Sequence, residues 1–337
     1  MRNKVSLKDI AKASGVSTAV VSFVMNNKYV GRVSEAKAQQ VKAIAKELNY
    51  TPNQIAKSLK KDRTYTIGLI IADISNLFYS NIARYIEDAS KRYQYNVIFG
   101  SADENADKFN ELVQVMLSRQ VDGIILAAPK GTEDTLNYLK QQQIPFVLID
   151  RHFPKLMDIN SIGINNYQAS HAVVEHIVKE GFKRPAMITL RTELAHMRER
   201  AAGFKHALTE LLHLDKPQVV EIQEELLAEQ IEEVMLGLRD SGVDLVYFAT
   251  NKIAMEGLAA MVKHGVRVPR EMGVICFDEA DAYKIFHTSI SFVRQPLQQI
   301  GQESVEMLVA LIDGKQSTKS IVLNTQIIRG NSSLLLK

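Results

Sequence analysis

The 337-residue chain holds a single cysteine, Cys276, so no internal disulfide can staple it. The apolar neighbours in Gly273-Val274-Ile275-Cys276-Phe277 mark a buried strand position rather than a reactive thiol. No apolar run reaches the length of a membrane span, and the opening MRNKVSLKDI lacks the apolar segment of a signal peptide. These absences lead to the expectation of a reducing, cytoplasmic setting with no membrane partner. Catalytic signatures are missing as well: there is no G-x-S-x-G, P-loop, H-E-x-x-H or Cys-x-x-Cys pattern. The eight histidines are scattered, and His171/His176 lack the three- or four-residue spacing of helical metal ligands. The sequence therefore points away from an enzyme, and no metal or cofactor is expected.

What is present is an uneven distribution of charge. The formal net charge is +3, but residues 1–63 carry thirteen Lys/Arg against four Asp/Glu, a balance of +9, which leaves −6 for the rest. A basic head on a mildly acidic body is the electrostatic footprint of a nucleic-acid module attached to a separate domain.

The head has a matching pattern. Ser6 stands three residues before Asp9, a capping-box start for a helix through Ala13, with Leu7, Ile10 and Ala11 on one face. Ser14-Gly15-Val16 breaks that helix, and Ser17 caps a second one from Thr18 to Asn26. Val21, Val24 and Met25 then point inward, leaving Thr18, Ala19, Ser22 and Phe23 outside. Two short helices joined by a glycine turn form a helix-turn-helix, whose second helix enters a DNA major groove. A third helix follows from Ser34 to about Leu48, with Val41, Ile44, Ala45 and Leu48 as its apolar stripe. Pro52 stops the preceding helix, and Asn53 could cap a segment through Lys60 that is too short to stay helical without a partner.

From Thr66 the period changes to strands buried on both faces, alternating with amphipathic helices. Strands are expected at 66–72, 96–100, 121–127, 145–149, 185–190, 218–222, 243–249, 273–277, 290–294 and 320–328. Helices fall between them, so the fold class is an all-α helix-turn-helix headpiece plus an α/β core of two doubly wound parallel-sheet subdomains. The chain crosses between the subdomains more than once. Ligands of such sheets bind beyond the carboxyl ends of the strands, where this chain carries Asp73, Asp150-Arg151, Asn251 and Asp278. A polar residue after a strand is ordinarily a turn former or a helix cap. Four of them bracketing one cleft suit the orientation of a polyol or sugar.

Ser6 to Leu59 resembles the lactose/galactose repressor family of bacterial transcription regulators, through SLKDIA at 6–11, Gly15-Val16-Ser17, Val21-Ser22, Asn26, LNYTPN at 48–53, Ala56 and Leu59. Residues 66–337 resemble the type I periplasmic sugar-binding fold that forms this family's body. The resemblance implies DNA contacts from Ser6, Ser17, Thr18, Ala19, Ser22, Phe23, Asn26, Tyr50, Asn53, Ala56 and Leu59. In the family, the segment from Asn53 becomes a minor-groove hinge helix whose leucine, here Leu59, wedges between base pairs and kinks the duplex. Phe23 is a departure: many relatives read V-S-R-V where this chain has Val21-Ser22-Phe23-Val24. Arginine can fork to guanine, whereas phenylalanine can only meet apolar atoms such as a thymine methyl.

For the body, Asp73-Ile74-Ser75-Asn76-Leu77-Phe78-Tyr79 resembles the family's D-x-x-N-P-F-F, with Leu77 in place of proline. The implied effector contacts are Asp73, Asn76, Phe78, Tyr79, Asp150, Arg151, Arg200 (of R-x-x-G-F), Asn251, Asp278 and Gln295. Lys252, Glu279 and Asn165 depart from the usual aspartates at their positions. The expected organisation is a headpiece at 1–51, a hinge at 52–63 and an effector-binding, dimerisation domain at 64–337. Its N-subdomain covers about 64–163 and 294–324, and its C-subdomain about 164–293 and 325–337. The expected function is a regulator, a repressor in sense, that binds double-stranded operator DNA as a homodimer under control of a sugar-like effector. The alternative, a transport or chemotaxis binding protein with the same core, leaves the basic head without a purpose.

Overall fold

In the computed structural model, which describes residues 5–50, 63–315 and 318–335, the chain divides into two compact units, 1–64 and 65–337. Among the described residues the first unit contains three helices: α1 (Leu7–Ser14), α2 (Thr18–Met25) and α3 (Glu35–Glu47). Ser6 and Asp9 close the capping box reciprocally, and Gly15 takes φ +65°, the left-handed turn that lets α2 fold back. Ile10, Val21, Val24, Ala38 and Val41 are fully buried and form the small core. Ala38 was not in the expected stripe of α3, whose inner face is one turn longer than its bulky residues show.

The second unit carries two six-stranded sheets. The first contains β1 (Thr66–Ile71), β2 (Asn96–Ser101), β3 (Gly123–Leu126), β4 (Phe146–Ile149), β5 (Ser161–Ile164) and β11 (Ser320–Leu323), in the order β11-β5-β4-β3-β1-β2. The second contains β6 (Pro185–Leu190), β7 (Gln218–Ile222), β8 (Leu245–Phe248), β9 (Gly273–Phe277), β10 (Ser291–Arg294) and β12 (Gln326–Ile328), in the order β12-β10-β9-β8-β6-β7. The two orders are the same arrangement repeated. They differ only at the last strand: β11 runs parallel to β5, whereas β12 runs antiparallel to β10. Central strands β3, β4, β8 and β9 are buried at every residue, as parallel strands covered on both faces must be.

The helices complete each half. On the first sheet they are α4 (Leu77–Arg92), α5 (Ala106–Ser118) and α6 (Glu133–Gln141); with the second go α7 (Asn166–Glu180), α8 (Ala195–Leu212), α9 (Leu227–Asp240) and α10 (Asn251–Lys263). Helix α11 (Leu297–Ile312) comes after the second sheet in sequence but packs on α4 and on strands of the first. The chain thus passes between the halves three times, after β5, β10 and β11.

Two expectations are corrected. The single strand expected at 320–328 is two, β11 and β12, which join different sheets. Strand β5 was not expected: Ser161-Ile162-Gly163-Ile164 offers only two large apolar side chains between flanking asparagines. The hinge, with Asn53, Ala56 and Leu59, lies outside the described residues.

Candidate functional site

In the headpiece, Ser6 and Ser17 both cap helices: the Ser6 hydroxyl donates to Asp9 at 2.7 Å, and Ser17 Oγ accepts from the Val20 amide at 3.4 Å. Hydrogen bonds to Ser6 hold the Asp9 carboxyl below its ordinary pKa. The outer face of α2 presents Thr18 and Ala19 exposed and Ser22 and Phe23 half-buried. Asn26 Nδ2 donates to the Ser22 carbonyl at 2.8 Å, anchoring the end of the helix. Phe23 is partly covered, because the Arg32 guanidinium sits 5.0 Å from its ring centroid. Tyr50 packs against the headpiece core, and burial raises its hydroxyl pKa.

In the body, a cavity of about 270 Å³ opens at the carboxyl ends of the strands and is lined from both halves. Asn76 follows β1, Glu104 follows β2, Lys130 follows β3 and Asp150-Arg151 follows β4. From the other half come Arg191 after β6, Glu224 after β7, Thr250 after β8, Asp278 after β9 and Gln295 after β10. The repeat of the sheets makes Asp150 and Asp278 counterparts. Both take the left-handed conformation, φ +66° and +68°, that turns the chain off its strand.

The charges on the N-terminal side are interlocked. Tyr79 donates its hydroxyl to Asp150 at 2.7 Å, and Arg151 forks onto Glu104 at 2.7 and 2.5 Å. Burial alone would lower the Arg151 pKa, but Tyr79, Glu104 and Asp150 around it raise it, so it stays charged. On the opposite side, Arg200 donates to Asn166 at 2.9 Å and to the Ala249 carbonyl at 2.8 Å, with its guanidinium 3.5 Å from the Phe277 ring centroid. Gln295 donates to Asp278 at 2.7 Å. Burial pushes the Asp278 carboxyl up to about 6, against the pull of Arg200 and Gln295. His196 is buried near Arg151 and Arg200, and burial and their charges push its pKa well down, leaving it neutral.

Of the residues expected to meet an effector, Asn76, Phe78, Tyr79, Asp150, Arg151, Arg200, Asp278 and Gln295 line this cavity. Asn251 stands just behind, 3.3 Å from Asn76. Asp73 does not line it: its carboxylate accepts from the Ser75 amide at 2.8 Å and from the Ser75 hydroxyl, the ordinary work of a turn former. Glu104, Lys130, Arg191 and Glu224 were not expected. The strand-end rule, applied to β2, β3, β6 and β7 as it was to β1 and β4, would have found them.

A second polar line is inert. Ser333 lies 2.8 Å from His176 Nε2, and Glu180 lies 3.9 Å from Nδ1, but His176 and Ser333 are buried and lie beneath the end of the chain. Burial lowers the His176 pKa. With no access for a substrate, the line pins the C-terminal segment and does no chemistry.

A helix-turn-helix headpiece and a separate two-sheet body with a polar cleft define a DNA-binding protein that answers to a small molecule. Residues 6–53 match the family of bacterial regulatory proteins, lacI family, and 67–316 match a periplasmic binding protein domain. The chain is 31% identical to the HTH-type transcriptional regulator RegA of Clostridium saccharobutylicum over 339 residues, covering 98% of this chain and 99% of that one. It is also 31% identical to catabolite control protein A of Priestia megaterium, over 94% of this chain and 96% of that one. Its fold is similar to the lac repressor dimer bound to operator and an anti-inducer, with a TM-score of 0.86 at 22% identity, covering 98% of this chain and all of that one. The chain belongs to the lacI family of bacterial regulatory proteins. It is a transcription regulator and not an enzyme. No helix among the described residues is long and apolar enough to cross a membrane.

Proposed function

We propose that this regulator is a cytoplasmic repressor whose cleft binds a sugar or sugar derivative, and that binding there sets its affinity for operator DNA. The observation that carries the reading is the facing of Asp150 and Arg151 against Arg200 and Asp278 across one small cavity. Fixed carboxylates and guanidiniums on opposed walls offer paired acceptors and donors to neighbouring hydroxyls, with Phe78 as apolar wall. At about 270 Å³ the space lies just below the usual range of ligand pockets, about 300 to 1,000 Å³. It suits a monosaccharide-sized molecule better than a longer oligosaccharide.

The organisation we propose is a headpiece at 1–51, a hinge at 52–63 and a body at 64–337, acting as a homodimer. One headpiece reads one half-site, and a palindromic operator mirrors a two-fold axis. The body also has a face suited to a second copy: Ile74, Leu77 and Phe99, the last on edge strand β2, are each more than 40% exposed. Thr18, Ala19, Ser22 and Phe23 set base preference, Ser6, Ser17, Asn26 and Tyr50 hold the backbone, and Asn53, Ala56 and Leu59 act from the hinge. A ligand touching both halves of the body favours one cleft geometry over another, and only that difference can shift a population. The shift changes the spacing of the two hinges in the dimer.

The test is calorimetry with a panel of sugars on wild type, Arg200→Ala and Asp278→Ala, each with and without operator selected from random DNA. A coupling of about 1–3 kcal/mol changes operator affinity roughly 5- to 150-fold, and operator must change effector affinity by the same factor. Undiminished sugar binding in both variants removes the pocket assignment. Equal affinity with and without DNA removes the switch.

A further inference from the structure

Away from the cleft, on the outer surface of the C-terminal half, helices α7 and α8 bring together three metal-ligating side chains, one from the first helix and two from the second. His171 comes from α7; His206 and Glu210, one helical turn apart, come from α8. A nitrogen from each ring and a Glu210 oxygen all fall within 4.8 Å of one another. His171 Nε2 is already 3.2 Å from Glu210 Oε2, and the two ring centroids are 6.2 Å apart.

We propose that His171, His206 and Glu210 form a binding site for one divalent transition-metal ion of the zinc type, with water completing the shell. Two imidazoles and one carboxylate are a donor set such ions take, leaving an open position. A tetrahedral ion with bonds of about 2.0 Å needs donors about 3.3 Å apart. The His171–Glu210 pair meets that spacing as it stands, and His206, exposed and held by Tyr167 at Nδ1, has Nε2 left to bind once the two side chains shift together by the remaining distance.

The platform beneath the site is rigid. At Gly203 the two helices touch backbone to backbone, and a Cβ there would run into the Tyr167 carbonyl. The separation of α7 and α8, and with it the placement of all three ligands, is fixed by that contact. The outer groups suit a metal as well. Glu175 Oε1 lies 3.2 Å from His171 Nδ1, out of hydrogen-bond alignment now but placed to accept its proton once Nε2 is a ligand. Tyr167 holds His206 through Nδ1. The glycine contact and the histidine partners separate this cluster from an ordinary solvated ion pair. A bound ion would clamp α7 to α8, about 9 Å along the helix from Arg200.

Tag-free, chelator-stripped full-length protein, titrated with zinc chloride by calorimetry, should bind one ion per protomer in the micromolar range or tighter. Cobalt(II) should give the visible absorption of a four- or five-coordinate site. His206→Ala and Glu210→Gln, both at exposed positions, should each weaken zinc binding at least about tenfold and abolish the rise in melting temperature that zinc gives the wild type. His213→Asn, at an exposed histidine outside the cluster, should leave binding unchanged. No binding at submillimolar zinc, or the same affinity in His206→Ala as in wild type, overturns the proposal.

Discussion

Asn251 Nδ2 donates to Asn76 Oδ1 at 3.3 Å, a hydrogen bond that joins the two halves of the body beside the cavity. The same oxygen accepts from the Phe78 amide at 3.0 Å, as the N-cap of α4. One asparagine therefore fixes a helix start and holds the opposite half. The bond draws together the two halves that a ligand in the cleft must touch at once, so it works in the same direction as the ligand. Asn251→Ala removes the crossing bond and spares the cap. It should lower effector affinity about 2- to 13-fold with little change in melting temperature, since one net hydrogen bond contributes about 0.5–1.5 kcal/mol. Titration of the two proteins with the same sugar checks this. An unchanged affinity would assign the pair to static packing.

Phe23 is the second point of leverage. It lies on the outer face of α2, partly shielded by Arg32, and in the proposed reading its ring edge meets an apolar atom of a base. Phe23→Arg should change the preferred base at one position of each half-site, by roughly 1–3 kcal/mol of discrimination. Binding-site selection with both proteins reads this directly. An unchanged sequence preference would make Phe23 a packing partner of Arg32.

Leu59 carries the third. If it wedges between base pairs, Leu59→Ala should reduce operator affinity and operator bending while leaving the melting of the body and effector affinity nearly unchanged. Loss of body stability with an unaltered bend angle would assign Leu59 to covering the sheet.

What could be read in the sequence follows from how strongly each element is overdetermined. The central strands announce themselves because burial on both faces demands unbroken apolar runs, as in Gly273–Phe277. The headpiece is legible because its caps are chemical: Ser6, Ser17 and Ser34 each accept from an amide three residues on. Short strands near a sheet edge are weakly specified: β5 lies inside its sheet but is only half-buried, with two large apolar side chains in four residues, and β11 and β12 are edge strands, so neither β5 nor the split of 320–328 shows in the sequence. In the cleft, the residues that match a known pattern were readable one by one. Glu104 could be placed near the cleft by its position after β2, but not given a role, because that role exists only through Arg151, 47 residues away. The His171, His206 and Glu210 cluster was hidden in the same way: His171 shares no helix with the others, so spacing along the chain carries no sign of it.

The buried carboxyl of Asp278 gives the fourth prediction, a dependence on pH. Its pKa in the folded chain is pushed up to about 6 from an ordinary 3.8, first by burial. Below about pH 4 the group is protonated whether the chain is folded or not, and burial costs nothing. As pH rises from about 4 to 6 the unfolded chain gives up the proton while the folded one keeps it, so stability falls. The total loss is on the order of 3 kcal/mol, complete above about pH 6. Asp278→Asn should remove that slope and leave the ligand-free protein more stable at neutral pH. A sugar hydroxyl donating to the carboxylate acts in the opposite sense: it stabilises the charged form and lowers the pKa. Effector binding near pH 6 should therefore release a proton, and effector affinity should rise between pH 5 and 7. His152, whose pKa is raised by its bond to Glu199, titrates nearby, so the comparison with Asp278→Asn isolates the carboxyl. Calorimetry in two buffers of different ionisation enthalpy counts the protons. Equal proton release in wild type and Asp278→Asn would show that the titrating group lies elsewhere and that Asp278 does not accept from the effector.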